Sequence, residues 1–107
     1  MPQADLYYSS DQTLDSARLL AEIEDTIHAF DDSSGLCKGR AHAVSTYHHS
    51  HILLRLSMLP KPHRGDDFAR ELGERLAALL HGNAKAPCAV NVLIRYDLVH
   101  YTGITVE

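Results

Sequence analysis

Pro2 is the first residue of this chain placed where it could do chemistry. In the cytoplasm an initiator methionine is removed when the next residue is small, and that would leave a secondary amine at the head of the chain. A free α-amino group titrates at about 7.7–8.0, with proline intrinsically higher, and both apolar burial and nearby cations favour its neutral form. A neutral amine at the mouth of a pocket is a general base. Two cations have the spacing to bind an anion jointly. Lys38 and Arg40 lie two apart in a stretch that alternates, so they share one side of a strand, and Arg64 stands in a turn before a helix. Arg55 and Arg95 are read as structural.

Other reactive residue types lack the required company. Tyr47-His48-His49-Ser50-His51 is rich in imidazole, but neighbouring histidines of an extended segment point to opposite sides, leaving His49 and His51 as the usable pair. Catalytic zinc needs three protein ligands, and no Cys or carboxylate stands at a ligand spacing from that pair, so no metal is expected there. Cys37 and Cys88 have no CxxC partner and no adjacent histidine, and are read as reduced core thiols. Asp66-Asp67 reads as helix capping rather than an acid/base pair.

Six elements would position these groups. Residues 2–8 suit a strand, with Pro2 at its permissive first position. Leu20, Ile23, Ile27 and Phe30 recur at three- and four-residue steps, which predicts an amphipathic helix over 13–30. Alternation from Cys37 to Thr46 predicts a second strand. His51 to Met58 is the most strand-like run and is expected at the centre of the sheet. Pro60-Lys61-Pro62-His63-Arg64-Gly65 breaks it. Asp66 or Asp67 caps a second amphipathic helix, carried by Phe68, Leu72, Leu76, Leu79 and Leu80 and ending near Gly82-Asn83. Cys88 to Tyr96 forms a last strand, and 98–106 a short strand or arm.

The order is βαβ twice, a repeat within one domain spanning 1–107. Two right-handed crossovers of the same sense put both helices on one face of a mixed sheet, which makes the class α+β in two layers. Leu53 and Leu93 on the other face are too apolar for water, so a second copy is expected to cover it.

Composition narrows the partners. The chain has 107 residues, with 10 Lys+Arg against 14 Asp+Glu and a formal charge of −4. An acidic balance argues against nucleic acid, which needs a clustered cationic face. No segment approaches the roughly 20 apolar residues of a membrane span. The opening has neither the basic flank nor the apolar core of an export signal, so a cytoplasmic location is expected. Protonating all eight histidines would take the charge from −4 to +4, which makes association sensitive to mild acid.

Pro2 before a strand, a long helix, Gly35-Leu36-Cys37-Lys38-Gly39-Arg40-Ala41-His42, the 51–58 strand, a Pro- and Gly-containing turn ending at Arg64 and the Phe68–His81 helix come in an order that resembles the tautomerase superfamily. The resemblance is greatest to its 5-carboxymethyl-2-hydroxymuconate isomerase branch, where the Gly35–His42 stretch looks like Gly-Ile-Arg-Ser-Arg-Val-His. It covers nearly the whole chain. It implies a homotrimer of (βαβ)2 subunits and a cofactor-free, metal-free isomerisation of a carboxylated dienol to a 2-oxo enoate, of the kind used in aromatic-compound degradation. By that resemblance Pro2 is the general base and Arg64 binds the substrate carboxylate and dienolate. Lys38 and Arg40 match the two arginines of the second strand as further carboxylate contacts. Lysine at 38 keeps the charge but loses the planar two-pronged grip, which points to a related substrate. The alternative from another class is a non-catalytic trimeric module that kept the fold and binds a small carboxylate or a protein.

Overall fold

A computed structural model describes the whole chain, Met1 to Glu107. Its elements are β1 (Gln3–Ser9), α1 (Ser16–Phe30), β2 (Lys38–Val44), β3 (His51–Ser57), α2 (Asp66–His81) and β4 (Ala89–Arg95). The strands form one mixed sheet in the order β2-β1-β3-β4. β1 runs parallel to β2 and antiparallel to β3, and β3 runs parallel to β4. The doubled βαβ order and the central position of the 51–57 strand both agree with the sequence reading.

Period-two burial in the strands and period-3.6 burial in the helices meet in one core. Ala4, Leu6, Ile52, Leu54 and Leu56 point from the two central strands to Leu19, Ile23 and Ile27 of α1 and to Leu72, Leu76 and Leu80 of α2, all at most 2% exposed. Each such aliphatic side chain contributes about 1.5–3 kcal/mol by leaving water. At position 39 a side chain would collide with α1, since a Cβ there would stand 3.0 Å from Leu20 Cδ2. Glycine as the second residue of β2 lets the first helix close on the sheet.

Alternation sends the next residues to the opposite face. Gln3, Asp5 and Tyr7 of β1 are in register with Lys38, Arg40 and His42 of β2. On β3 and β4, Leu53, Arg55 and Leu93 share that side. Leu53 is half-buried and Leu93 is 42% exposed, so the open face is mixed rather than apolar.

The helix starts differ from expectation. α1 begins three residues late, at Ser16, because Asp15 is its cap and accepts the Arg18 N–H at 3.3 Å. Asp66 and Asp67 do not cap α2. Gly65 holds the cap position without a side-chain bond, and the two carboxylates occupy the first turn, where the helix dipole favours negative charge. Residues 98–107 form an arm without regular structure, and no helix is long and apolar enough to cross a membrane.

Candidate active site

The start of β1 lies at one corner of the sheet, where the loop after α1 and the loop before α2 converge. Pro2 is buried there, and its carbonyl accepts the Lys38 N–H at 3.0 Å, tying the chain start to β2. With Met1 attached, the Pro2 nitrogen is a tertiary amide. The free amine belongs to Met1, one peptide unit away, or about 3.8 Å between α-carbons. Burial and then the positive charges of Lys61, Arg64 and Lys38 hold the pKa of this amine below its ordinary value. The corner therefore favours a neutral amine, the form that takes a proton.

The sequence-predicted cations are placed unequally. Lys38 is exposed, and its ammonium makes one contact, with the Met1 sulfur at 3.3 Å. Arg40 is on the open face of the sheet. It donates to Asp5 at 3.1 Å, to the Gln3 side chain and to the Lys38 carbonyl at 2.9 Å. Asp5 is held from the other side by His42 at 3.0 Å, and the His42 ring stacks on Tyr7 with centroids 4.6 Å apart.

Arg64 is in the corner, but its side chain is only 2% exposed. Nε and Nη2 donate to one oxygen of Asp31 at 3.0 and 2.9 Å, and Nη1 donates to the Leu59 carbonyl at 2.8 Å. The sequence reading gave Arg64 a direct grip on substrate. In the structure it is the buried partner of Asp31, and its charge reaches the amine through space.

Asp31 and Lys61 are residues that the sequence reading passed over. The other Asp31 oxygen accepts the Ser33 N–H at 3.1 Å and its hydroxyl at 2.6 Å, and His63 Nε2 stands 3.1 Å from the first. Burial opposes the charge of Asp31, but the hydrogen bonds from Ser33, His63 and Arg64 outweigh it and hold the carboxyl well below the usual carboxylate range. Lys61 Nζ donates to the Ser33 carbonyl at 2.9 Å and to its hydroxyl at 3.3 Å. Asp31 reads as a loop residue after a helix, and Lys61 as a solvated charge between two prolines. Nothing in their local sequence marks them.

Two further groups border the corner. The Tyr96 hydroxyl is shielded from solvent and has no hydrogen-bond partner, and burial raises its pKa so that it stays a donor. The Cys37 thiol is pushed up to about 11 by burial and by the Glu24 carboxylate, so it is not a nucleophile. Cys37 and Cys88 are both free. At the other end of the strands the His48 and His49 rings lie tilted with centroids 4.0 Å apart, and no group of three metal-ligating side chains converges anywhere in the chain.

Comparison with solved structures places the fold. A 5-carboxymethyl-2-hydroxymuconate isomerase from Deinococcus radiodurans R1 superposes with a TM-score of 0.72 at 17% identity, covering 97% of this chain and 90% of its own. A 5-carboxymethyl-2-hydroxymuconate delta-isomerase gives 0.67 at 17%, covering 100% and 87%. A macrophage migration inhibitory factor-like protein from Entamoeba histolytica gives 0.67 at 13%, covering 97% and 95%. The chain thus has the tautomerase-superfamily fold over its whole length. No protein-family profile and no curated protein sequence matches it. At these identities the likeness is one of fold.

Proposed function

We propose that this chain is a cofactor-independent isomerase of a carboxylated dienol, of the 2-hydroxymuconate or 5-carboxymethyl-2-hydroxymuconate type, with Pro2 as general base after removal of Met1. The carrying observation is the amino-terminal corner: Pro2 is buried at the head of β1 in a tautomerase fold, and the amine of the adjoining Met1 has its pKa held down by partial burial and three cations. The Pro2 nitrogen takes the proton of the 2-hydroxyl, and the electron pair spreads over the diene as a dienolate. The proline ammonium then returns the proton to carbon, giving the 2-oxo enoate, so nothing is gained or lost overall.

Lys38 contacts a substrate carboxylate directly. Arg40, bonded to the Lys38 carbonyl, keeps that lysine in place and supplies a second positive charge on the same strand face. Arg64 acts by its field, which favours both the neutral amine and the dienolate. The assembly proposed is a homotrimer, with the mixed open face of the sheet covered by neighbouring copies.

Intact mass of tag-free protein from a cytosolic source tests the first requirement. A mass short by one methionine, followed by loss of the 2-hydroxymuconate dienol absorbance on adding enzyme, is the expected result. A mass that retains Met1 leaves an amide at Pro2 and ends the isomerase reading. The second reading is a non-catalytic trimeric carboxylate-binding module, which the commitment of Arg64 to Asp31 favours. Carboxylate binding without turnover by the processed protein would establish it.

A further inference from the structure

Five of the seven arginines have a carboxylate within ion-pairing distance: Arg18, Arg40, Arg64, Arg70 and Arg75. Arg55 and Arg95, which the sequence reads as structural, have none. These two are neighbours. β3 and β4 run parallel, with Arg55 opposite Leu93 and Ser57 opposite Arg95, so the two arginines stand diagonally on the open face of the sheet. Strand spacing and rise put their α-carbons about 8 Å apart, a gap that two arginine side chains can close. Both are exposed, and Ser57 is half-buried beside them.

The adjacent strand supplies no neutralising charge. Asp5 is opposite Arg55 in the β1–β3 register, but its two oxygens are taken by Arg40 at 3.1 Å and His42 at 3.0 Å. Lys38, Arg40, Arg55 and Arg95 therefore share the strands of the open face with a single carboxylate, a net +3 on a chain whose total is −4. A planar guanidinium fork matches two oxygens of an oxyanion, and two forks from adjacent strands match the charge and oxygen count of a tetrahedral dianion. A carboxylate has two oxygens and one charge, which a single fork satisfies.

We propose that Arg55, Ser57 and Arg95 form an oxyanion site for a phosphate-class dianion. Arg95 on β4 is three strand spacings, or about 14 Å, from Lys38 on β2, so the site is separate from the amino-terminal corner. It does not depend on the isomerase reading. The ion ties the edge strand β4 to β3 and lowers the net charge of the face from +3 to +1. Under the trimer reading, a neighbouring copy then meets less repulsion there.

The probe is inorganic phosphate at mildly alkaline pH, where the dianion predominates. It is titrated calorimetrically into the full chain at an ionic strength held constant with sodium chloride, with acetate as the monoanion for comparison. Phosphate is expected to bind with a Kd of about 1 mM, roughly tenfold tighter than acetate. Arg55→Gln and Arg95→Gln should each weaken phosphate about tenfold while circular dichroism stays the same. Arg18→Gln, on α1, removes the same charge and should change nothing. Lys38→Gln should leave phosphate affinity nearly unchanged.

Phosphate binding no tighter than that of acetate, or binding that survives Arg95→Gln, overturns the site. Loss of phosphate binding in Lys38→Gln puts the ion in the amino-terminal corner and overturns it too. If phosphate dissociates copies of the chain in sedimentation velocity, a carboxylate of a second copy fills the place, and the free-ion site is again overturned.

Discussion

Cations stand in two regions of the molecule and are used in opposite ways. On the open face of the sheet, Arg40 is fixed by Asp5, which His42 also holds, and Tyr7 packs on the imidazole. In the amino-terminal corner Arg64 is fixed by Asp31, but Lys38 and Lys61 rest on a sulfur and on uncharged oxygens. The difference follows side-chain chemistry. A guanidinium has a planar fork that a carboxylate can satisfy permanently, while an ammonium is a mobile point charge that changes partners easily. Arg64 joins two loops and Arg40 joins two strands, while Lys38 and Lys61 have no ion-paired carboxylate.

The comparison can be broken at several points. The largest effect is expected at the base: Pro2→Ala in the processed protein should lower kcat/KM for 2-hydroxymuconate by about 10²–10⁴ while oligomeric state and circular dichroism stay the same. Retained turnover would take proline out of the mechanism.

Next comes the buried pair. Asp31→Ala leaves the Arg64 charge without a partner and should cost about 3–5 kcal/mol in a denaturant melt. Asp5→Ala breaks a pair whose side chains are 41% and 29% exposed, and should cost below about 1 kcal/mol. Equal costs would show that burial does not distinguish the two regions.

The same contrast has a pH signature. The folded-state pKa of Asp31 is depressed, so its contribution to stability is fully present above the unfolded carboxylate value of about 3.9 and is lost as pH falls through the folded value. Acid unfolding followed by circular dichroism should flatten in Asp31→Ala. A smaller effect is expected at the amine, which Lys61, Arg64 and Lys38 push down and Cys37, when ionised, would push up. Lys61→Ala should therefore raise the amine pKa and move the acid limb of the kcat/KM profile to higher pH. An unmoved limb would remove Lys61 from the electrostatics of the site. The smallest change is expected for Arg40→Ala, which should raise KM about threefold at constant kcat by loosening Lys38.

Much of the frame was readable because it depends on short-range regularities. The period-two runs at 51–57 and 89–95 and the 3.6-period leucines of α2 sit where the pattern puts them. The cap of α2 was misread because two adjacent aspartates satisfy both the capping rule and the first-turn charge rule, and only backbone geometry distinguishes them. Pro2, Lys38 and Arg64, singled out in the sequence, lie together at the amino-terminal corner. The roles of the arginines were not legible, because Arg64 meets a carboxylate 33 residues away and Arg40 meets one 35 residues away.

By itself the sequence determined the elements, their order and the presence of a proline at the head of the first strand. Those follow from local periodicity and from the identity of residue 2. Tertiary structure decided which cations are spent and which are free. Ion pairing depends on where two loops and two strands bring distant carboxylates, and the chain folds Asp31 onto Arg64 and Asp5 onto Arg40 while leaving Lys38 and Lys61 beside the amino terminus.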